Sequence, residues 1–361
     1  MAAPNPYPPT HTPPKNPMTR LPLLPILAFA AILTACTSEK RPPRPEFDPS
    51  YPDVHDPVLA IGEDGRYYIF STGVGIGVMS SADLKTWRQE PSVFDREAIP
   101  QWAKDTVPGY WGHTWAPDIS YRNGQWYLYY SCSTFGKNGS AIGLALNKTL
   151  DPTSPDFRWR DQGPVVVSHP DIDNWNAIDP NLCEDYLVWG SFWDGIQLQQ
   201  LAPDLKTRLG EPVTIARRIN RHREISEIPI TIEGKDTIKA GDNAIEAPFI
   251  FKRGDWYYLL VSHDYCCRGK NSTYKVAYGR SQSITGPYLD RDGKDLAFGG
   301  GTLLVGPDER YYGVGHCSVY QLPDGNWYYI SHAYDSEYGA RSKLFIRPLQ
   351  FSPDDWFTLA E

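Results

Sequence analysis

One short stretch recurs five times along this chain, and the recurrence limits the fold more than any other feature. Val54-His55-Asp56-Pro57 is echoed by Ala116-Pro117-Asp118, Ile178-Asp179-Pro180, Ile245-Glu246-Ala247-Pro248 and Gly315-His316. The steps between the key polar residues are 62, 61, 67 and 70. Each echo is followed by an aromatic run: Tyr67–Phe70, Trp126–Tyr130, Tyr186–Trp189, Trp256–Leu260 and Trp327–Ile330. Such runs suit a pleated, packed surface and read as strands. Gly62–Gly65, Asn123-Gly124, Gly254-Asp255 and Asp324-Gly325 supply the turns before them. Residues 50–361 hold no amphipathic helix of useful length. A unit of 61 to 70 residues with three or four strands is a propeller blade. The expected fold is all-β, a five-bladed β-propeller over residues 50–361. The first strand of each blade lines the axis, so Asp56, Asp179, Glu246 and His316 are expected to converge there. Strands are expected at His55–Leu59, Tyr67–Ser71 and Ile76–Met79 in unit one. In unit five they are expected at Cys317–Leu322, Trp327–Ser331 and Lys343–Pro348, with Asp355–Leu359 as a further strand.

The N-terminus reads separately. Residues 1–17 are Pro-rich and aperiodic, and Met18 is expected to be the true start. Met18-Thr19-Arg20 precedes the apolar run Leu21–Leu33, a secretion signal too short to span a membrane. Leu33-Thr34-Ala35-Cys36 resembles a bacterial lipobox, in which Cys36 would be lipidated. The alternative is an ordinary signal peptide with an incidental cysteine. The expected organisation is an extension and signal over 1–36, a flexible tether over 37–49, and then the propeller. The product would be exported, as a membrane-anchored lipoprotein in the periplasm or on the cell surface, or otherwise secreted. A monomer is expected.

Composition narrows the partners. Aromatic residues make up 13% of the chain, which suits both packed strands and a surface that stacks sugar rings. The net charge is −8 and no basic run follows a phosphate backbone, so nucleic acid is excluded as a partner. The cysteines after Cys36 (Cys132, Cys183, Cys266, Cys267 and Cys317) lack zinc-type spacing. Cys266-Cys267 is either a strained vicinal disulfide or a pair of free thiols. Ala216–Asn243, with Arg217, Arg218, Arg221 and Arg223, is an insertion, either a decorated surface loop or a flap over substrate.

Three carboxylates at the mouth of an axial cleft suit glycoside hydrolysis, which needs a proton donor and a second carboxylate. A third can orient the donor and raise its pKa by like-charge repulsion. Asp118 is set apart from this group and expected to clamp backbone. The motifs Val54-His55-Asp56-Pro57, Trp115-Ala116-Pro117-Asp118, Asn176-Ala177-Ile178-Asp179-Pro180, Gly190-Ser191-Phe192-Trp193, Ile245-Glu246-Ala247-Pro248 and Asp264-Tyr265-Cys266-Cys267-Arg268-Gly269 resemble the endo-α-1,5-L-arabinanases of glycoside hydrolase family 43. That resemblance covers about residues 50–361.

The resemblance implies an inverting hydrolase of arabinan, the side chain of pectin. Asp56 would be the general base, Glu246 the general acid and Asp179 the modulator and orienter of the acid. Trp115 and Phe135 would stack arabinofuranose rings, and Gly136 would admit close backbone approach. Asn176, Ser191, Phe192 and Trp193 would line the cleavage subsite. His316 matches a family histidine near a largely water-coordinated axial metal ion, usually calcium. A core histidine is the alternative. His113-Thr114, His263 and Cys317 depart from the family pattern. Two other readings stand beside this one. The first is an exo-arabinanase, α-L-arabinofuranosidase or β-xylosidase on the same fold. The second is a non-catalytic, lipid-anchored glycan-binding propeller.

Overall fold

The computed structural model describes residues 46–218 and 243–360. The signal and Cys36, most of the tether and the centre of the Ala216–Asn243 insertion lie outside the described residues.

The first sheet holds β1 (Val58–Ile61), β2 (Tyr67–Ser71), β4 (Gly77–Ser81) and β5 (Trp87–Glu90), in that order. β3 (Gly73–Val74) crosses to pair with His113-Thr114 and extends the second sheet. That sheet continues with β6 (His113–Arg122), β7 (Gln125–Cys132), β8 (Ser140–Asn147) and β9 (Arg160–Ser168). The third holds β10 (Asn181–Cys183), β11 (Tyr186–Trp189), β12 (Ile196–Leu201) and β13 (Arg208–Ala216). The fourth holds β14 (Ile245–Arg253), β15 (Trp256–His263), β16 (Lys275–Ser281) and β17 (Thr302–Val305). The fifth holds β18 (Tyr311–Gln321), β19 (Trp327–Asp335), β20 (Arg341–Phe351) and β21 (Phe357–Leu359). All pairings are antiparallel, and β1, β6, β10, β14 and β18 contact one another in a closed ring. This is the expected five-bladed propeller.

The aromatic runs form the second strand of each blade, buried on both faces. Side chains alternate across a strand. Trp126, Leu128 and Tyr130 therefore enter the core against blade one, while Tyr127 and Tyr129 enter the core against blade three. Leu259 and Val261 likewise face blade three, and Tyr258 and Leu260 face blade five. Each hydrophobic cluster lies between two neighbouring blades, and the last, with Leu59, Ile69, Ile330 and Leu344, seals blade five to blade one. Burying one such side chain is worth roughly 1.5–3 kcal/mol, so the blade interfaces carry the stability.

The ring is clasped by the segment before β1. Val54 N–H donates to Ser342 O at 3.0 Å and Leu344 N–H to Pro52 O at 3.1 Å. Lys343, almost wholly buried, holds Asp53 at 2.9 Å between the rings of Tyr51 and Tyr338.

Candidate active site

In every blade the inner strand is kinked at one residue in the left-handed region. These residues are Asp56 (φ 54°), Ala116 (φ 39°), Asp179 (φ 59°), Ala247 (φ 54°) and His316 (φ 52°). L-residues adopt this conformation only when their surroundings hold them there. The holding group comes from the preceding blade. Ala116 N–H donates to Thr72 Oγ1 (2.9 Å), Asp179 N–H to Ser131 Oγ (3.0 Å) and His316 N–H to Ser262 Oγ (2.9 Å). Asp56 N–H donates to His332 Nδ1 (3.1 Å), which joins the last blade to the first.

Between blades three and four the pattern changes. Ser191 stands at the end of the second strand, but its hydroxyl donates to Glu246 Oε2 at 2.8 Å. Ala247 N–H is taken instead by the Asp179 carboxyl at 3.2 Å. The acid and its neighbour are thus wired into the clamp that serves only the backbone elsewhere.

This geometry corrects the phase of the sequence repeat. The structural counterparts of Asp56 are Ala116 and Ala247, not Asp118 and Glu246. Strand bulges fall between Trp115 and Asp118 and between Glu246 and Phe249. Glu246 lies one residue earlier, the position held by His55 and Trp115 in other blades, and bridges to Ser191 across blades. Asp118 is a clamp, as expected. It accepts Leu182 N–H at 2.8 Å and Asn181 Nδ2 at 3.0 Å, and burial pushes its carboxyl up to about 6.

Asp56, Asp179, Glu246 and His316 do converge. His55 and His316 each place Nδ1 near Asp56 Oδ1, at 2.8 and 3.0 Å, and Thr72 Oγ1 donates to Oδ2 at 2.5 Å. Burial alone would raise the Asp56 carboxyl. The two imidazoles outweigh it and hold the group well below the usual carboxylate range. Burial also works against a charged His316, but Asp56, Asp179 and Glu246 push it up to about 9. His332 is held neutral by burial, consistent with its accepting role.

Asp179 and Glu246 go the other way. Burial raises both, and the charges of Glu246 and Asp56 add to the rise at Asp179. For Glu246, burial leads, and Asp179 also meets the acid's neighbour, its carboxyl accepting Ala247 N–H. Tyr274, unmarked in the sequence, also reaches Glu246. Its ring packs against Gly315, where an added Cβ would lie 2.2 Å from a ring carbon.

The expected substrate residues fall into three groups. Trp115 is half-buried, with Nε1 donating to His113 Nδ1 at 2.8 Å. Trp111, exposed, stacks on the other side of that imidazole at 5.5 Å, so the His113 departure supports an aromatic row. Burial depresses the His113 pKa and keeps Nδ1 available as acceptor. Phe135 is 78% exposed, and open space stands over Gly136 at φ 72°. Asn176 is buried with its Oδ1 lacking a protein partner, while Phe192 packs beside Tyr265 and Trp193 O accepts from Asn243. Arg217 and Arg218, at the start of the insertion, pair with Asp194 and Asp264.

The metal expectation rests on His316. Among the described residues, the donor groups that close on one another are His55–Cys266–Cys267 and His55–Asp56–His332, and His316 is in neither. Calcium prefers an oxygen cage. Neither cluster is such a cage; an ion here would be held mainly through water, with His316, whose Nδ1 is 3.0 Å from Asp56 Oδ1, as the residue to hold it. The far ends of the inner strands enclose a separate axial cavity of about 320 Å³, lined by Ala60, Ile119, Leu182 and Val319.

A closed propeller whose axial cleft gathers one carboxyl held low by imidazoles and others raised by burial has the layout of a glycoside hydrolase of the acid–base type. The model for glycosyl hydrolases family 43 matches residues 50–357, and the chain belongs to that family. It is 45% identical over 309 residues to an extracellular exo-α-(1→5)-L-arabinofuranosidase of Cellvibrio japonicus, covering 84% of this chain and 85% of that protein. It is 39% identical over 308 residues to an extracellular endo-α-(1→5)-L-arabinanase of Bacillus subtilis, covering 83% and 85%. An exo-1,5-α-L-arabinanase structure from a bovine ruminal metagenomic library superposes with a TM-score of 0.79 at 54% identity, covering 88% of this chain and all of that one.

Proposed function

We propose that the protein hydrolyses α-1,5-L-arabinofuranosidic bonds in arabinan with inversion at the anomeric carbon. The opposed pKa shifts of Asp56, held low by two imidazoles, and Glu246, raised by burial, carry this reading. Ionised Asp56 takes a proton from the attacking water, and protonated Glu246 gives one to the leaving sugar oxygen. Asp179 fixes the acid by way of Ala247 N–H. An inverting pair stands about 6.5–9.5 Å apart, leaving room for the water. Trp115 and Phe135 stack sugar rings, and Asn176, Phe192 and Trp193 border the cleaved unit, with Ser191 acting on Glu246 instead. A mostly hydrated cation at His316 would add positive charge near the carboxylates.

The names of the relatives support the substrate. The Cellvibrio protein and the ruminal structure, the more identical of those compared, both carry exo names, which favours release of short products from a chain end. Internal cleavage is the second reading, favoured by the Bacillus relative and by the motif resemblance. Export follows from the signal over residues 18–36 and agrees with relatives named extracellular, with a lipid anchor at Cys36 as the proposed attachment.

The test is a time course of products from linear arabinan, with xylan as control and NMR of the first-formed anomer. One short product from the outset supports exo action, and mixed oligosaccharides support endo action. Retained configuration would sink the acid–base assignment. No product from arabinan would sink the substrate.

A further inference from the structure

His55, Cys266 and Cys267 form a donor cluster beside the carboxylates that hydrolysis leaves unused. His55 Nε2 and both sulfurs lie within 4.8 Å of one another. Cys267 Sγ is 3.7 Å from His55 Nε2. Zinc bonds of about 2.3 Å to sulfur and about 2.0–2.1 Å to nitrogen, arranged tetrahedrally, hold such ligands roughly 3.6 Å apart. The spacing is therefore close to that of a metal site before any movement. Cys267 is exposed, so a fourth position can face solvent. The other ring nitrogen, Nδ1, meets Asp56 Oδ1 at 2.8 Å. A carboxylate behind a metal-binding imidazole is the usual means of fixing its tautomer and orientation. Tyr334 OH, 2.8 Å from His55 Nε2, would give up that contact. It also lies 3.8 Å from Cys267 Sγ and accepts Cys267 N–H at 2.9 Å, so it can turn to the sulfur.

We propose that His55, Cys266 and Cys267 bind a soft divalent cation such as zinc or cadmium, and that occupancy stops hydrolysis. Each thiol releases its proton to solvent as its sulfur bonds the metal, and no electron is transferred. His55 gives up any proton on Nε2 to solvent, binds through that nitrogen and keeps its Nδ1 proton on Asp56. Metal and bound water then stand beside the general base, in the space its attacking water needs. The inhibition rests on the hydrolytic reading above, whereas the binding does not.

Full-length protein, freshly reduced, is titrated with zinc chloride by calorimetry and with cadmium chloride by the ultraviolet absorption of cadmium–thiolate bonds. The expected result is one equivalent bound with proton release, lost in Cys266→Ser/Cys267→Ser. One equivalent of zinc should abolish most arabinan hydrolysis in the parent, a chelator should restore it, and the double variant should ignore zinc. Cys267→Ser alone, at an exposed position, gives the same comparison should the double variant not fold. Absence of stoichiometric binding, binding that survives loss of both thiols, or a Cys266–Cys267 disulfide that re-forms ahead of metal binding would overturn the proposal. Metal binding by a protein with no arabinan activity would leave this site standing and remove the proposed function.

Discussion

Asp56 and Glu246 carry the same functional group in one cleft and differ only in what surrounds it. Imidazoles push the Asp56 pKa down, and burial pushes that of Glu246 up. Asp56→Asn, Asp179→Asn and Glu246→Gln should each lower kcat by orders of magnitude while thermal melting stays near that of the parent. A variant with near-normal turnover would remove its residue from the mechanism. Ser191 separates positioning from chemistry. Its hydrogen bond lowers the Glu246 pKa against the larger effect of burial. In Ser191→Ala the pKa rises, the acid stays protonated to higher pH, and the alkaline limb of the kcat/KM profile should move upward; an unmoved limb would deny that bond. His113→Ala should free the Trp115 ring and raise KM more than it lowers kcat, measured on arabino-oligosaccharides of graded length. The carboxylates were legible in the sequence because an acid within two residues of proline recurs in four of the five units. Their phase was not, because the repeated quantity is a backbone angle, which Ala116 and Ala247 carry without any polar side-chain atom.

At the scale of the element, the inner strands and the aromatic second strands were readable because their residues are forced by burial on both faces. The outer strands were less so. β9 contains Gly163 and Pro164, and β17 leaves Leu303 exposed, so neither displays the pattern of a packed strand. The short helix Gln101–Thr106 and the crossing of Gly73–Val74 to the second blade also lacked a signal. What locks the inner strands is legible only in space. Asp118→Ala would leave Leu182 N–H and the Asn181 amide without their carboxylate partner, at a cost of about 3 kcal/mol. Chemical denaturation measures it, and a loss well under 1 kcal/mol would mean that water replaces the clamp. Gly315→Ala forces a Cβ into the Tyr274 ring and should cost about 2–3 kcal/mol, together with activity, because that ring also supports Glu246.

For the whole molecule, blade packing runs round the entire ring but is thinnest where blade five meets blade one, and closure there leans on a few residues. Asp53→Ala would strip the buried Lys343 ammonium of its carboxylate and also loosen Arg341. Because Asp53 is 42% exposed, a loss of about 2 kcal/mol is expected, below the 3–5 kcal/mol of a wholly buried pair. An unchanged melting temperature would show that the backbone pairing of residues 52–54 suffices. The seam has a consequence for how the protein matures. Asp56, the proposed general base, sits in the first blade made, yet its partners His316 and His332 sit in the last. During synthesis, Asp56 emerges beside His55 but some 260 residues ahead of His316, the second imidazole that holds its pKa down. A chain missing its final blade would therefore lack one of the two imidazoles at Asp56, and the His332 acceptor of its N–H, as well as a closed ring. Refolding after dilution from denaturant should return activity only with the last and slowest step, since contacts of such long sequence separation form late.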